Sequence, residues 1–280
     1  MTPKSNYIKC TWGKVHYKEF NANEKETFIC LHGWLDNWSS FLPLSEYFNH
    51  HLICIDLPGH GRSDHLAEGN WYHFVDYVVR LREILNNLKI NKIHFIGHSM
   101  GAAIASLYCA TFPEDAKSIT LIDGLGPLVD EPKLARLNLK ESILKRESIT
   151  NKRRPFISID LAIKARLSVG ELSKKSAEIL VKNQIHEDQD GIKWLYDNKL
   201  KFTSSLRLSP EQLESFFCEI KCPVLLICAS EGFVTRIPYW ESRKKIKNLE
   251  EIHLKGKHHL HMETPDLVSH KIEGWLSSLP

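Results

Sequence analysis

The chain has 280 residues, a formal net charge of +3, 42% hydrophobic and 25% charged residues, a balance that excludes a disordered, fibrous or strongly basic nucleic-acid-binding protein and leaves a globular fold with a sizeable core. The seven cysteines are odd in number and show no C-x-x-C spacing, so neither a disulfide framework nor a zinc site is suggested, and free thiols in a reducing compartment are expected. Residues 1–6 carry no apolar targeting core and the longest apolar run, 224–229, is too short to span a bilayer, so a cytoplasmic protein without a membrane span is expected.

In chain order, β-rich runs at 7–12 and 14–18 around Gly13 predict an antiparallel hairpin, and 27–31 predicts a buried strand. An aromatic and polar loop from His32 to Trp38 follows, then a predicted helix over about 38–48 and a strand at 51–56. Phe74, Val78, Leu81, Leu85 and Leu88 recur at helical spacing, which predicts an amphipathic helix over 72–88. A strand at 93–98, a small-residue helix to about 112 and a strand at 118–122 complete an alternation that implies a parallel sheet covered on both faces. From 127 to 208 the sequence turns polar, basic and helical, with Lys140, Lys145, Arg146, Lys152, Arg153 and Arg154 among scattered Leu and Ile. The charges read as solvated helix faces, and the length reads as a cap inserted into a core of 1–126 and 209–280. A helix at 211–220, strands at 224–228 and 251–254 and a helix at 265–276 close the chain.

Gly97-His98-Ser99-Met100-Gly101 interrupts the apolar run at 93–98 and opens the following helix. A G-x-S-x-G pentapeptide in that context predicts a nucleophile elbow, a sharp strand-to-helix turn that lifts the serine hydroxyl above the sheet. The helix N-terminus beneath it favours developing negative charge. Ser99 is therefore the candidate nucleophile.

Together with His32-Gly33-Trp34, with Asp56-Leu57-Pro58-Gly59-His60-Gly61-Arg62-Ser63, and with His258 followed by Glu263 and Pro265, this motif resembles the α/β-hydrolase superfamily. The stretches 31–37 and 121–127 are similar to its serine-hydrolase-like branch. The resemblance implies an α/β-hydrolase fold, a mostly parallel eight-stranded sheet with helices on both faces and an inserted helical cap. It also implies His258 as the base, with His259 and His261 as rivals, and an oxyanion hole from the backbone N–H groups of Trp34 and Met100. Most relatives place the acid where this chain has Gly232. Asp123, at the end of the preceding strand, and Glu231, one residue out of register, remain the two candidates. Trp38 and Leu125 are expected to line the substrate pocket from below, with Phe156, Trp194 and Phe202 above.

These residues predict a serine hydrolase, of the carboxylesterase type, that cleaves an ester or related acyl bond of a small molecule through an acyl-enzyme, with no cofactor and no metal. Acyl transfer, perhydrolysis and carbon–carbon hydrolysis could use the same residues. A non-catalytic ligand receptor is the alternative from another class.

Overall fold

The computed structural model describes residues 3–148, 155–169 and 171–279. Lys152, Arg153 and Arg154 of the basic run lie outside them. Strands β1 (Lys4–Cys10) and β2 (Gly13–Phe20) form the hairpin, and β3 (Thr27–Leu31) follows. The helix predicted over 38–48 is instead a 3-10 turn, Trp38–Phe41, and a single α turn, α1 (Leu42–Ser45). Pro43 is the reason, because it has no N–H to bond the preceding turn and is tolerated only where a helix begins. Next come β4 (His51–Ile55), α2 (Phe74–Leu88), β5 (Ile93–His98), α3 (Met100–Thr111) and β6 (Ala116–Ile122).

The segment between β6 and the next sheet strand holds α4 (Ala135–Ser148), α5 (Ile159–Leu167) and α6 (Lys174–Lys182). It is not wholly helical: β7 (Ile185–Asp188) and β8 (Gly191–Trp194) form a separate antiparallel hairpin, turning at Gly191 with φ 117°. Then α7 (Pro210–Glu219), opened by a reciprocal capping box between Ser209 and Gln212, leads to β9 (Val224–Ala229), β10 (Leu249–Leu254), α8 (Leu260–Glu263) and α9 (Pro265–Ser278).

Eight strands form one sheet in the order β1-β2-β4-β3-β5-β6-β9-β10, with β1, β2 and β4 joined antiparallel and every later pairing parallel. Because side chains alternate along a strand, each central strand feeds two cores. Ile29, Leu31, Ile53 and Leu226 face α2, α3 and α7, where Leu81, Tyr108 and Phe217 are buried; Phe28, Cys30, Leu52 and Ile227 face α1 and α9, where Leu44, Ile272 and Trp275 are buried. Each fully buried side chain of this size contributes ~1.5–3 kcal/mol, so the sheet is a stiff base for the loops at its C-terminal edge.

A smaller core of Ala162, Ile163, Ala177 and Val181 joins α5 to α6. Hydrogen bonds tie this segment to the loop after β3: Asn37 Nδ2 donates to the Leu180 carbonyl at 3.1 Å, Ser39 Oγ to that of Ile179 at 3.2 Å, and Trp34 Nε1 to that of Leu200 at 3.0 Å. Among the described residues no helix is long and apolar enough to cross a membrane.

Candidate active site

Strand β5 ends in a turn at Ser99, whose φ of 51° and ψ of −112° are unfavourable for a residue with a side chain. A conformation of this kind costs ~1–3 kcal/mol and persists only where its surroundings dictate it. Here the glycines on either side do so. A Cβ at Gly97 would lie 2.5 Å from the Ala102 backbone, and one at Gly101 would strike the Leu31 carbonyl. The elbow therefore packs α3 directly against β5 and β3, with no room for the backbone to relax. Ser99 N–H donates to the Ile122 carbonyl at 3.0 Å, which fixes the turn to the next strand as well.

Ser99 opens into a cavity of about 870 Å³, walled on the sheet side by Gly33, Trp34, His98 and His258 and on the other by Arg166, Trp194 and Tyr196. His258 lies between β10 and α8, and its Nδ1 is 2.5 Å from Asp123 Oδ2. An ionised carboxylate only accepts, so in the neutral ring Nδ1 carries the proton and Nε2 the lone pair. Phe233 holds the imidazole edge-on, with ring centroids 5.3 Å apart.

Asp123 is fully buried and also left-handed, at φ 40°. Its carboxylate accepts from His258, from Phe233 N–H at 3.0 Å and from Ala229 N–H at 3.3 Å. Burial alone would raise its pKa, but these partners outweigh burial and hold the carboxyl below its ordinary range. Glu231 is exposed, and its carboxylate bonds to no described residue; it reaches the cavity wall without engaging His258. Of the two candidate acids, the structure brings only Asp123 to the imidazole. A Cβ built on Gly232 would fall on the Asp123 carboxylate. The glycine that departs from the family pattern thus leaves vacant the space that Asp123 fills from the neighbouring strand.

Met100 lies in the first turn of α3, whose N–H groups have no intrahelical partner. Trp34 lines the cavity from the loop after β3, and that loop is braced by His32, whose Nε2 accepts from Leu57 N–H at 3.0 Å. The pocket expectations for Trp38 and Leu125 are corrected: both are buried in the sheet cores and neither reaches the cavity. Trp38 sits in the 3-10 turn with its backbone N–H donating to Asp56 Oδ1 at 2.8 Å, and its side chain is buried in the α1–α9 core. Phe156 and Trp194 do line the cavity, whereas Phe202 packs near Trp71 instead.

A buried polar cluster adjoins the Ser99 wall; it includes His259, a rival base in the sequence reading, and Arg166 and His98, to which that reading attached no role. Arg166, on α5, places Nη2 2.6 Å from Asp36 Oδ1; His259 Nε2 lies 3.2 Å from Asp36 Oδ2, and His98 Nδ1 lies 3.6 Å from the same oxygen. Burial would raise the Asp36 pKa, but His259, Arg166 and His98 together hold it well below the usual carboxylate range. His98 is held neutral by burial, its pKa lowered to about 3, and its Nε2 meets the His258 carbonyl at 3.0 Å. The i, i+1 placement of His98 and His259 beside Ser99 and His258 was the available sequence signal.

The chain matches the family model described as alpha/beta hydrolase fold over residues 26–265. It is 27% identical over 279 residues to the serine hydrolase-like protein of Danio rerio, covering 95% of this chain and 86% of that protein. Among solved structures, a hypothetical protein of Pseudomonas aeruginosa PAO1 superimposes with a TM-score of 0.91 at 30% identity, covering 99% of this chain and 100% of that one. The thioesterase domain from the curacin biosynthetic pathway shares the fold, with a TM-score of 0.84 at 20% identity over 98% of this chain and 100% of that domain.

Proposed function

The chain belongs to the α/β-hydrolase fold family, in its serine-hydrolase-like branch, and from that premise we propose that it cleaves a carboxylic ester or related acyl bond of a small molecule through an acyl-enzyme on Ser99. The observation that supports the reading most is that His258, on the wall of the same cavity as a strained serine, has the buried Asp123 carboxylate behind it at 2.5 Å. In this reading the Ser99 hydroxyl attacks the acyl carbon while His258 Nε2 takes its proton. Asp123 stabilises the imidazolium and keeps Nδ1 protonated. The backbone N–H groups of Met100 and Trp34 receive the oxyanion, and each such donor is worth roughly 10²–10³ in rate. His258 returns the proton to the leaving alcohol, and water then attacks the acyl-serine by the same path in reverse.

The segment 127–208 acts as the cap. Its Phe156, Trp194 and Tyr196 give aromatic surface, suited to an acyl chain, to a wall that also carries Arg166, Glu171 and Lys201. The test is labelling by a fluorophosphonate probe, paired with hydrolysis of a short p-nitrophenyl ester. Wild type is expected to react in both assays and Ser99→Ala in neither. A wild-type protein that folds but shows neither reaction refutes the proposal and favours a ligand-binding role.

A further inference from the structure

We propose that Asp36, His98 and His259 form a binding site for a divalent transition-metal ion, with Zn²⁺ or Cu²⁺ as the chemical class, and that occupancy inhibits the site at Ser99. The three ligand atoms lie within 4.8 Å of one another and all three residues are buried. Zinc holds imidazole and carboxylate ligands at ~2.0–2.2 Å, so the edges of a tetrahedral site are roughly 3.3 Å long. Asp36 Oδ2 is 3.6 Å from His98 Nδ1 and 3.2 Å from His259 Nε2, close to two such edges.

The hydrogen bonding also leaves a gap for a cation. The His258 carbonyl can only accept, so His98 Nε2 carries the proton and Nδ1 presents a lone pair. That lone pair faces the Asp36 carboxylate, acceptor against acceptor, and is buried with no hydrogen-bond partner. A bound cation resolves this confrontation. His259 Nδ1 is likewise buried and unpartnered, so it can take the proton that Nε2 must give up on ligating a metal, and no existing bond is broken at that nitrogen. Gly33 keeps the approach clear: a Cβ there would lie 2.8 Å from His98 Nδ1 and 3.0 Å from Asp36 Oδ2. All three ligands line the cavity, which supplies an open fourth position.

Inhibition follows from position, and this part alone rests on the proposed role of Ser99 and His258. His98 precedes Ser99, His259 follows His258, and the His98 and His258 ring centroids are 4.6 Å apart. With its fourth ligand in the cavity that Ser99 opens into, the ion takes up space that an acyl group at Ser99 needs. Arg166, paired with Asp36 Oδ1, adds a positive charge that weakens metal binding.

The experiment titrates Co²⁺ into the chelator-stripped full chain and follows the visible bands of tetrahedral cobalt, with Zn²⁺ as competitor. One ion per chain is expected. His98→Gln and His259→Gln should each weaken binding by more than the roughly 100-fold that loss of an outer partner costs, while Arg166→Gln should tighten it roughly tenfold. A gain in affinity cannot arise from misfolding. Cys228, Glu251 and His253 form the other group of metal-capable donors found among the described residues, so if His253→Gln, rather than the His98 and His259 variants, abolishes binding, the assignment is overturned. Absence of tetrahedral bands overturns it too. Zn²⁺ should slow fluorophosphonate labelling of wild type and not of His259→Gln; unchanged labelling of wild type by Zn²⁺ refutes the inhibitory part. A protein that binds cobalt as described but never reacts with the probe keeps the site and refutes the hydrolase reading, whereas one that reacts but binds no cobalt does the opposite.

Discussion

Replacing Asp123 by asparagine tests where the acid sits, and the structure sets the size of the effect. The aspartate uses Oδ2 for both His258 and Phe233 N–H, and Oδ1 for Ala229 N–H. Asparagine has one acceptor oxygen. With that oxygen at the Oδ2 position, the amide NH₂ confronts the Ala229 N–H; with it at the Oδ1 position, the NH₂ confronts Phe233 N–H and His258 together. The second arrangement forces the imidazole proton onto Nε2 and removes the lone pair that would deprotonate Ser99. Either arrangement leaves a buried donor unsatisfied at ~1–3 kcal/mol. Loss of the carboxylate charge in a triad lowers kcat by up to about 10⁴. Asp123→Asn is therefore expected to stay folded, with a lower Tm, and to lose roughly 10³–10⁴ in p-nitrophenyl ester turnover. Glu231→Gln, whose carboxylate bonds to no described residue, should lose less than about tenfold. Full activity in Asp123→Asn beside an inactive Glu231→Gln would refute this assignment and give the role to Glu231.

Two further outcomes are expected. Gly232→Ala places a methyl group on the Asp123 carboxylate, so it should separate the acid from His258 and slow probe labelling by roughly 10²-fold or more; a variant that labels at the wild-type rate means the carboxylate has another place to sit. Stability should fall in acid, because His60 is fully buried and burial, with His32 nearby, holds its pKa well below the ordinary value. On unfolding it takes up a proton below about pH 6.5 while the folded form does not, so stability declines steadily as pH falls from that value towards the depressed pKa of the folded state. His60→Gln should make the pH dependence of chemical denaturation shallower by roughly 1.4 kcal/mol per pH unit near pH 5; an unchanged slope contradicts a neutral buried His60.

What the sequence disclosed tracks how local the cause is. The elbow was legible because the glycines that make room for it, Gly97 and Gly101, lie within the pentapeptide, although the Leu31 backbone that Gly101 clears belongs to another strand. Strand alternation was legible because both faces of the sheet are buried, which forces apolar runs such as Val224–Ala229. Pocket lining was not. Whether Trp38 points into the cavity or the core depends on a 3-10 turn that Pro43 imposes, and Phe202 was drawn aside by Trp71, a contact across more than a hundred residues. The β7–β8 hairpin escaped notice because its strands are four residues each, with Asp188, Gln189 and Asp190 reading as a polar helix surface.

The acid was ambiguous in sequence for a reason the sheet makes plain. β6 and β9 run parallel in register, Ile122 beside Ile227, and the Asp123 N–H donates to the Ile227 carbonyl at 2.8 Å. An acid at the end of β6 and one in the loop after β9 therefore start from the same edge, one strand apart. Distance along the chain cannot separate them, but volume can. With a left-handed backbone at position 123, the carboxylate crosses to the β9 side and occupies the space a side chain at 232 would need. A carboxylate at either place excludes the other, so glycine at 232 and aspartate at 123 form one solution rather than two independent substitutions. Exchanging them, Asp123→Gly with Gly232→Asp, should then recover probe labelling that Asp123→Gly alone has lost; a double variant no faster than the single one would show that the Ala229 and Phe233 N–H groups, and not the vacant volume, decide where the acid can work.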